Sequence, residues 1–298
     1  MRFSASEAFC GNVISKEQIA EIAGIVATFP NLTRAELANT ICEVYSWKRP
    51  TGKLKTVECR QFLERLDAKG IIRLPECQTQ YAKRTKFNIR RTALADNQAQ
   101  ISVKLKDLYP LLLVKVNNWA ERRLWYEFMD RYHYLGYRLP FGAQLRYFIK
   151  SEMTQDRLGC LQFSSPAWKM AARDQWIGWD DTQRKRNLQK IVNNSRFLIF
   201  PWVQVKNLAS AVLSLAVKIV PDDWNKCYGY APVMIETLVD KKRFNGTCYR
   251  AANWLYLGET SGRGRMDRQN KRKGMAVKEI FVYPLSKKFR HKLLAGSQ

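Results

Sequence analysis

The sequence predicts a mixed α/β protein with a small helical unit in front, on three observations. From about Ile101 onward, short strand-like apolar runs alternate with helical stripes, the pattern of a sheet with helices packed on it. Before that point, residues 16–74 carry three helical stripes separated by turn signals. Apolar residues make up 46% of the 298 positions, enough for a packed core. No apolar run approaches the ~18–20 residues that a membrane helix needs. The longest, Leu208 to Val220, reads as a buried helix. The length suits about two domains.

The first helix is expected over Lys16–Phe29, with Ile19, Ile22, Ala23 and Val26 on one face and Pro30 as its stop. Thr33 followed three residues later by Glu36 is a capping box for a second helix bearing Leu37, Ile41 and Val44. Pro50-Thr51-Gly52 is a turn. A third helix, Thr56 to Lys69, carries Val57, Phe62, Leu63 and Leu66 and ends at Gly70. Ile71 to Leu74 is expected as a short strand before Pro75. Helix, helix, turn, helix, strand is the order of a winged helix-turn-helix, assigned to residues 1–77. The third helix offers Arg60 and Arg65, with Lys55 at its start and Lys53 in the preceding turn. Donors on an exposed helix face with cations beside it suit a helix entering a major groove. A charged solvent face on a three-helix unit has the same composition. Residues 78–100 are polar and basic, with Lys83-Arg84 and Arg90-Arg91, and read as a linker or wing.

The α/β domain is assigned to residues 101–298. Ile101, Val103 and Leu105 alternate with polar residues and lead to Leu111–Val114. A helix, Asn117 to Tyr132, bears Trp119, Leu124, Trp125, Phe128 and Met129. Strands are expected at Leu145–Ile149, Leu158–Phe163, Phe197–Phe200 and Val233–Leu238. Helices are expected at Ser165–Met170, Gln183–Ile191, Leu208–Ile219 and Thr247–Trp254, the long apolar one capped by Asn207.

Charge supplies the first functional indication. Lys and Arg number 51 against 26 Asp and Glu, a formal charge of +25. Such a surface attracts polyanions, inside a cell chiefly nucleic acid. No basic amphipathic helix points to a membrane surface instead. Seven cysteines without a CxxC pair, and no signal-peptide pattern, fit a cytoplasmic chain.

Candidate chemistry centres on four residues. His133 lies among aromatics, and its titration range suits proton transfer near neutral pH; a core or capping histidine would look the same. Glu236 and Asp240 are four apart on a strand, which puts them on one face, where they could act as a base or hold a metal. They could equally be ion-pair partners of Arg243 and Arg250. Tyr249 could donate a proton or stack on a base. The run Gly262-Arg263-Gly264-Arg265, with Arg268 beyond it and Lys241-Lys242-Arg243 upstream, is a cationic patch suited to phosphate.

Five segments share a further property. They are Tyr132–Gly136, Gly159–Ser164, Asn193–Leu198, Glu236–Asp240 and Gly246–Trp254, followed by Leu257–Arg265. With Cys59-Arg60 and Gly70–Pro75, they resemble the Druantia DruA family of anti-phage proteins over nearly the whole chain. That resemblance implies a role in bacterial defence, with other defence-system proteins as partners. A histidine-tyrosine pair, a Gly-x-Leu-x-Phe strand and a Tyr-x-Ala-x-x-Trp helix are more loosely similar to the phage Mom DNA-modification protein. This likeness implies a GNAT-like acyltransferase fold. In such folds the turn corresponding to Val203–Ser210 holds the pyrophosphate of an acyl-CoA-like donor on helix amides. Lys206 and Asn207 then become candidate cofactor contacts, standing where such folds carry a glycine-rich turn. The combined expectation is a DNA-binding winged helix-turn-helix followed by a GNAT-like α/β domain. It would act as a transferase on DNA or a DNA-bound target, with RNA left open. The alternatives are a non-enzymatic DNA-recognition module, or a metal-dependent nuclease using Glu236 and Asp240 with Asp180, Asp181 or Asp223.

Overall fold

A computed structural model describes residues 7–29, 32–49, 54–75, 89, 91–137, 142–262 and 277–295. The chain opens with a hairpin, β1 (Glu7–Phe9) and β2 (Asn12–Ile14), turned at Cys10 and Gly11, both at positive φ. Strands of three residues are too short to show a period of two, so the sequence pattern does not reveal them. Helices α1 (Lys16–Thr28), α2 (Arg34–Val44) and α3 (Thr56–Ala68) follow. Capping boxes start the first two, Ser15 with Gln18 and Thr33 with Glu36. Ile22, Leu37, Ile41, Phe62, Leu63 and Leu66 are fully buried between them, and Phe9 stacks on Trp47 at 4.0 Å.

The strand expected at Ile71–Leu74 is not formed. Gly70, at φ 68°, reverses the chain. The Ile71 N–H then bonds the Leu66 carbonyl and the Leu74 N–H bonds Asp67 Oδ1, so the segment's donors return to α3 rather than to a sheet. The turn at Pro50–Lys53 and the segment 76–88, where a wing was expected, lie outside the described residues.

The remaining chain builds one seven-stranded sheet from β3 (Leu111–Lys115), β4 (Gln144–Ser151), β5 (Arg157–Ser164), β6 (Ile191–Ile199), β7 (Met234–Asp240), β8 (Leu255–Glu259) and β9 (Lys278–Pro284). The strand order is β3-β4-β5-β6-β7-β9-β8, antiparallel throughout except for the parallel pair β6–β7. Helices α4 (Trp119–Tyr132), α5 (Ala171–Ile177), α6 (Asp181–Asn187) and α9 (Phe289–Leu294) cover one face. Phe128 of α4 meets Phe148 of β4, and Ile177, Leu188 and Leu293 cluster with Met234, Ile280 and Val282. Helices α7 (Leu208–Tyr228) and α8 (Thr247–Ala251) cover the other face. There Tyr147 of β4 donates to Asp223 of α7 and Tyr249 stacks on Phe281. Among the described residues no helix is long and apolar enough to cross a membrane.

Several elements differ from expectation for local reasons. Ser165–Met170 is a loop, because its Ala167 and Trp168 carbonyls turn inward to accept from Arg173. Helix α6 starts at Asp181, capped by Asp180, and Ile191 already belongs to β6. That strand begins six residues before the expected start, its polar stretch Asn193-Asn194-Ser195 having hidden the alternation. Ile101 makes only a bridge to Val203, and Leu105–Leu108 is a 3-10 turn. Asn207 does not cap α7 with its side chain; at φ 65° it turns the chain into the helix. Residues 91–100, expected as linker, dock on α4. The Thr92 N–H and hydroxyl donate to the Glu127 carboxylate at 2.6 and 2.8 Å, and Tyr132 donates to the Ala95 carbonyl.

The N-terminal unit packs at the end of the sheet where β6 begins. Phe29 meets Tyr230 edge-on at 4.9 Å, and Leu32 and Val44 share a small cavity with Ala143, Ile191 and Trp224.

Candidate functional site

The parallel ladder runs from Ile191 opposite Met234 to Asn194 opposite Thr237 and then stops. Strand β6 continues to Ile199 along β5, while β7 continues to Asp240 along β9. A bulge marks the divergence: Gln162 opposes Arg196 and Phe163 opposes Asn194, so Ser195 is the extra residue. Bulges of this kind bend a strand and end its pairing. A wedge therefore opens between Ser195–Ile199 and Leu238–Asp240.

Strand alternation places Gln162, Arg196, Asp240 and Lys278 on the face that carries α4. Gln162 is 1% exposed; its amide nitrogen donates to Ser195 Oγ at 3.2 Å, and its Oε1 has no partner among the described residues. A buried acceptor left unpaired costs about 1–3 kcal/mol, and such atoms are rare enough to need an explanation. Lys278 stands directly opposite Asp240 across the β7–β9 pair. Asp240 accepts the Lys242 N–H at 3.1 Å, with Arg243 at 3.8 Å. The chain leaving α4 brings in His133 and Tyr134, and Tyr134 lies under Arg243 and against Phe244.

On the opposite face, buried Tyr249 donates to Asn194 Oδ1 at 2.8 Å, and Thr237 donates to the Asn194 carbonyl at 3.0 Å. Gly246, at φ 63°, starts α8 so close to Phe281 that an added Cβ would lie 2.5 Å from its ring. Only glycine lets Tyr249 reach the sheet this way.

The electrostatics tie these groups together. Burial, and secondarily the Arg196 charge, lower His133 to about 4, so its imidazole is neutral at pH 7. Its Nδ1 accepts the Leu135 N–H. Burial and then Asp240 raise Tyr134, against the pull of Arg196 and Arg243. Burial and then Arg196 lower Lys278, with Asp240 opposing. Burial raises Tyr249, with smaller contributions from Cys248 and Tyr134.

For His133 the folded value lies below the ordinary 6.5, so the unfolded chain takes up the proton first. Stability should be indifferent to this group above about pH 6.5 and should fall as pH drops toward about 4. Urea midpoints at pH 7.5 and pH 5 should separate for the wild type more than for His133→Gln. Equal separations would contradict a half-buried, neutral imidazole.

Of the four residues expected to carry chemistry, His133 and Asp240 stand on the α4 face of the wedge, linked through their shared neighbours Arg196 and Tyr134, while Tyr249 lies on the opposite face. Glu236 is a correction. It is fully buried under α5, its Oε2 held by Arg173 Nη1 at 2.9 Å and its Oε1 by the Ala167 N–H at 3.1 Å. Both carboxylate oxygens are occupied, so its role is structural. The other acids considered for a metal are dispersed. Asp223 accepts from Tyr147 on the far face, Asp180 caps α6, and Asp181 pairs with Arg184. Among the described residues, no three His, Cys, Asp or Glu side chains are grouped to hold a metal ion.

The candidate nucleic-acid contacts are spread out. Arg60 is half-buried with Glu64 at 3.7 Å, and Arg65 is tied to the hairpin through the Ala8 carbonyl at 3.0 Å. Lys55 precedes α3 without a side-chain cap bond. Arg250 lies over Phe281 and Tyr256 and reaches Glu279 at 3.5 Å. Lys206 and Asn207 are exposed at the start of α7. Lys53, Arg263, Arg265 and Arg268 lie outside the described residues. Tyr134, Gln162, Asn194 and Arg196 lie in segments marked only for their resemblance, with no role assigned to the individual residues, and Lys278 was not marked. The available signal was polar residues inside otherwise apolar strands, Gln162 and Asn193–Arg196 above all.

The family model described as "DruA: Druantia protein DruA" matches residues 65–274. No curated protein matches the sequence. Among solved structures, the chain is similar to a spermidine N-acetyltransferase from Vibrio cholerae. That likeness has 11% identity and a TM-score of 0.35, and it covers 59% of this chain and 95% of that one. A ribosomal-protein-S5-alanine acetyltransferase from Vibrio fischeri is similar at 6% identity and a TM-score of 0.31, covering 48% of this chain and 63% of that one. Likenesses at these scores carry no weight for fold or chemistry.

Proposed function

The chain belongs to the family of the Druantia protein DruA, and from that premise we propose that it serves anti-phage defence as a nucleic-acid-binding transferase with its reaction centre in the β6–β7 wedge. The observation that carries this reading is the wedge itself: a parallel pair that parts beside a neutral histidine and a buried Gln162 acceptor without a partner among the described residues. A neutral imidazole can accept a proton at neutral pH, and Asp240 adds a second acceptor near Tyr134. Arg196 and Lys278 supply positive charge for an anionic group or a developing oxyanion. Tyr249, held protonated, closes the opposite face and fixes Asn194.

A donor has a natural seat at the start of α7. Helix α7 is 21 residues long, and among the described residues no side chain caps its N-terminus. A pyrophosphate there would meet amides of the first turn and the positive end of the helix dipole, with Lys206 adjacent. An acyl-CoA-like donor fits that chemistry, as it would in a GNAT-like domain. The N-terminal helices, read as a winged helix-turn-helix, and the residues Lys53, Lys55, Arg60, Arg65, Arg243, Arg250, Arg263, Arg265 and Arg268 are proposed as nucleic-acid contacts. Other Druantia proteins are the proposed partners, in the cytoplasm.

Native mass spectrometry of the purified chain with acetyl-CoA as the probe tests the donor. The expected spectrum shows a one-to-one adduct at micromolar probe. A chain that carries nucleic acid alone at every probe concentration would make it a recognition module and overturn the transferase reading.

A further inference from the structure

The cationic surplus of the chain does not sit where a DNA-reading helix was expected. Residues 1–75 hold eleven Lys or Arg against eight Asp or Glu, so they contribute only three of the 25 excess charges. Helix α3 itself carries Glu58, Glu64 and Asp67 beside its two arginines. By contrast, residues 181–190 and 285–295 hold eight Lys or Arg against a single acid, Asp181. That acid is already spent on buried Arg184 at 2.7 Å. Seven cations remain, Lys185, Arg186, Lys190, Lys287, Lys288, Arg290 and Lys292, every one at least partly exposed.

The two segments form one ridge. Asn187 of α6 donates to the Leu293 and Ala295 carbonyls after α9, and Gln183 donates to the Leu294 carbonyl. Lys190 donates to the Lys292 carbonyl at 3.1 Å, which brings two cations together with no carboxylate between them. Burial first, and Lys292 second, pull the Lys190 ammonium below its usual value. Charges held this close favour an anion from outside the chain.

We propose that the α6–α9 ridge is the surface that grips duplex DNA through its phosphodiester backbone. The proposal rests on the reading of the chain as a protein acting on nucleic acid, and it moves the main contact away from α3. A membrane is a poor occupant, because surface-bound helices bury an apolar face. None of the exposed large hydrophobic residues lies in either segment, and Phe289 is stacked on Trp176 at 4.9 Å. A phosphate lattice needs only cations at the surface, with Arg able to grip bidentately. The ridge also faces the right way. It packs on Met234 at the start of β7, and Asp240 lies at the end of that strand on the same face. Seven residues of strand span ~20 Å. A duplex repeats every ~34–36 Å, so one lying on the ridge along β7 would reach the wedge within a turn.

The test is titration of a labelled 30-base-pair duplex at several salt concentrations. Wild type is compared with an Arg186→Gln, Lys288→Gln, Lys292→Gln triple variant and with an Arg60→Gln, Arg65→Gln pair. Each phosphate contact contributes a slope of about 0.9 in log K against log salt. The triple variant should therefore lose about 2–3 from the slope and at least tenfold in affinity, and the α3 pair, as a minor contact, should lose less than about 1 from the slope. A Lys287→Gln, Lys288→Gln variant, altering two exposed side chains, gives the same readout should the triple fold poorly. An unchanged slope in variants that fold, with wild type binding normally, overturns the ridge alone. Loss confined to single-stranded RNA also overturns it. Absence of any nucleic-acid binding by wild type overturns both the ridge and the nucleic-acid reading beneath it.

Discussion

Arg173→Met is expected to destabilise the fold by about 3–5 kcal/mol, the range measured when one partner of a buried ion pair is removed. Arg173 is completely buried and donates to Glu236 at 2.9 Å, to Asp174 at 2.8 Å and to the Ala167 carbonyl at 2.8 Å. Burial works against its charge, but Glu236 and Asp174 together outweigh that and hold the guanidinium above its ordinary value. Removing it leaves the fully buried Glu236 with an uncompensated carboxylate. Against a total stability of about 5–15 kcal/mol, that is about a fifth or more of what holds the domain folded. The double variant Arg173→Met, Glu236→Leu removes both charges and should recover most of the loss, since buried pairs replaced by apolar residues are often neutral. Urea unfolding of the two single variants and the double checks this. Single variants within about 1 kcal/mol of wild type would contradict the account of Glu236 as a structural residue.

That pair also shows where sequence reading works and where it stops. Glu236 and Asp240 do share a face of β7, as their even spacing requires. Spacing cannot show that α5 lies over one and leaves the other at an open strand end, because Arg173 comes from 63 residues earlier. The capping box of α2 and the apolar stripe of α7 were legible because they are local. The start of β6 was not, since a strand whose middle reads Asn-Asn-Ser-Arg has no alternation to detect. Those same polar residues build the bulge, so the feature that hid the strand is the one that opens the wedge. His133, Asp240 and Tyr249 were visible as residue types, whereas Gln162, Arg196 and Lys278 acquire meaning only from cross-strand register. Net charge was legible and its location was not: the helix with the most DNA-like order of elements carries more acids than bases.

The claim that the wedge performs chemistry is tested most directly by phage protection in cells carrying Asp240→Asn. Asparagine keeps the shape of the side chain and can still accept the Lys242 N–H, so the fold should be unaffected. What disappears is the negative charge beside Lys278 and Tyr134, and with it any share in proton transfer. Positioned acid–base groups contribute about 10²–10⁴ in rate. Protection, read as efficiency of plating at matched protein levels, should fall by about that factor, while duplex affinity stays within about twofold of wild type. Full protection by Asp240→Asn at normal protein levels would contradict a reaction centre in the wedge.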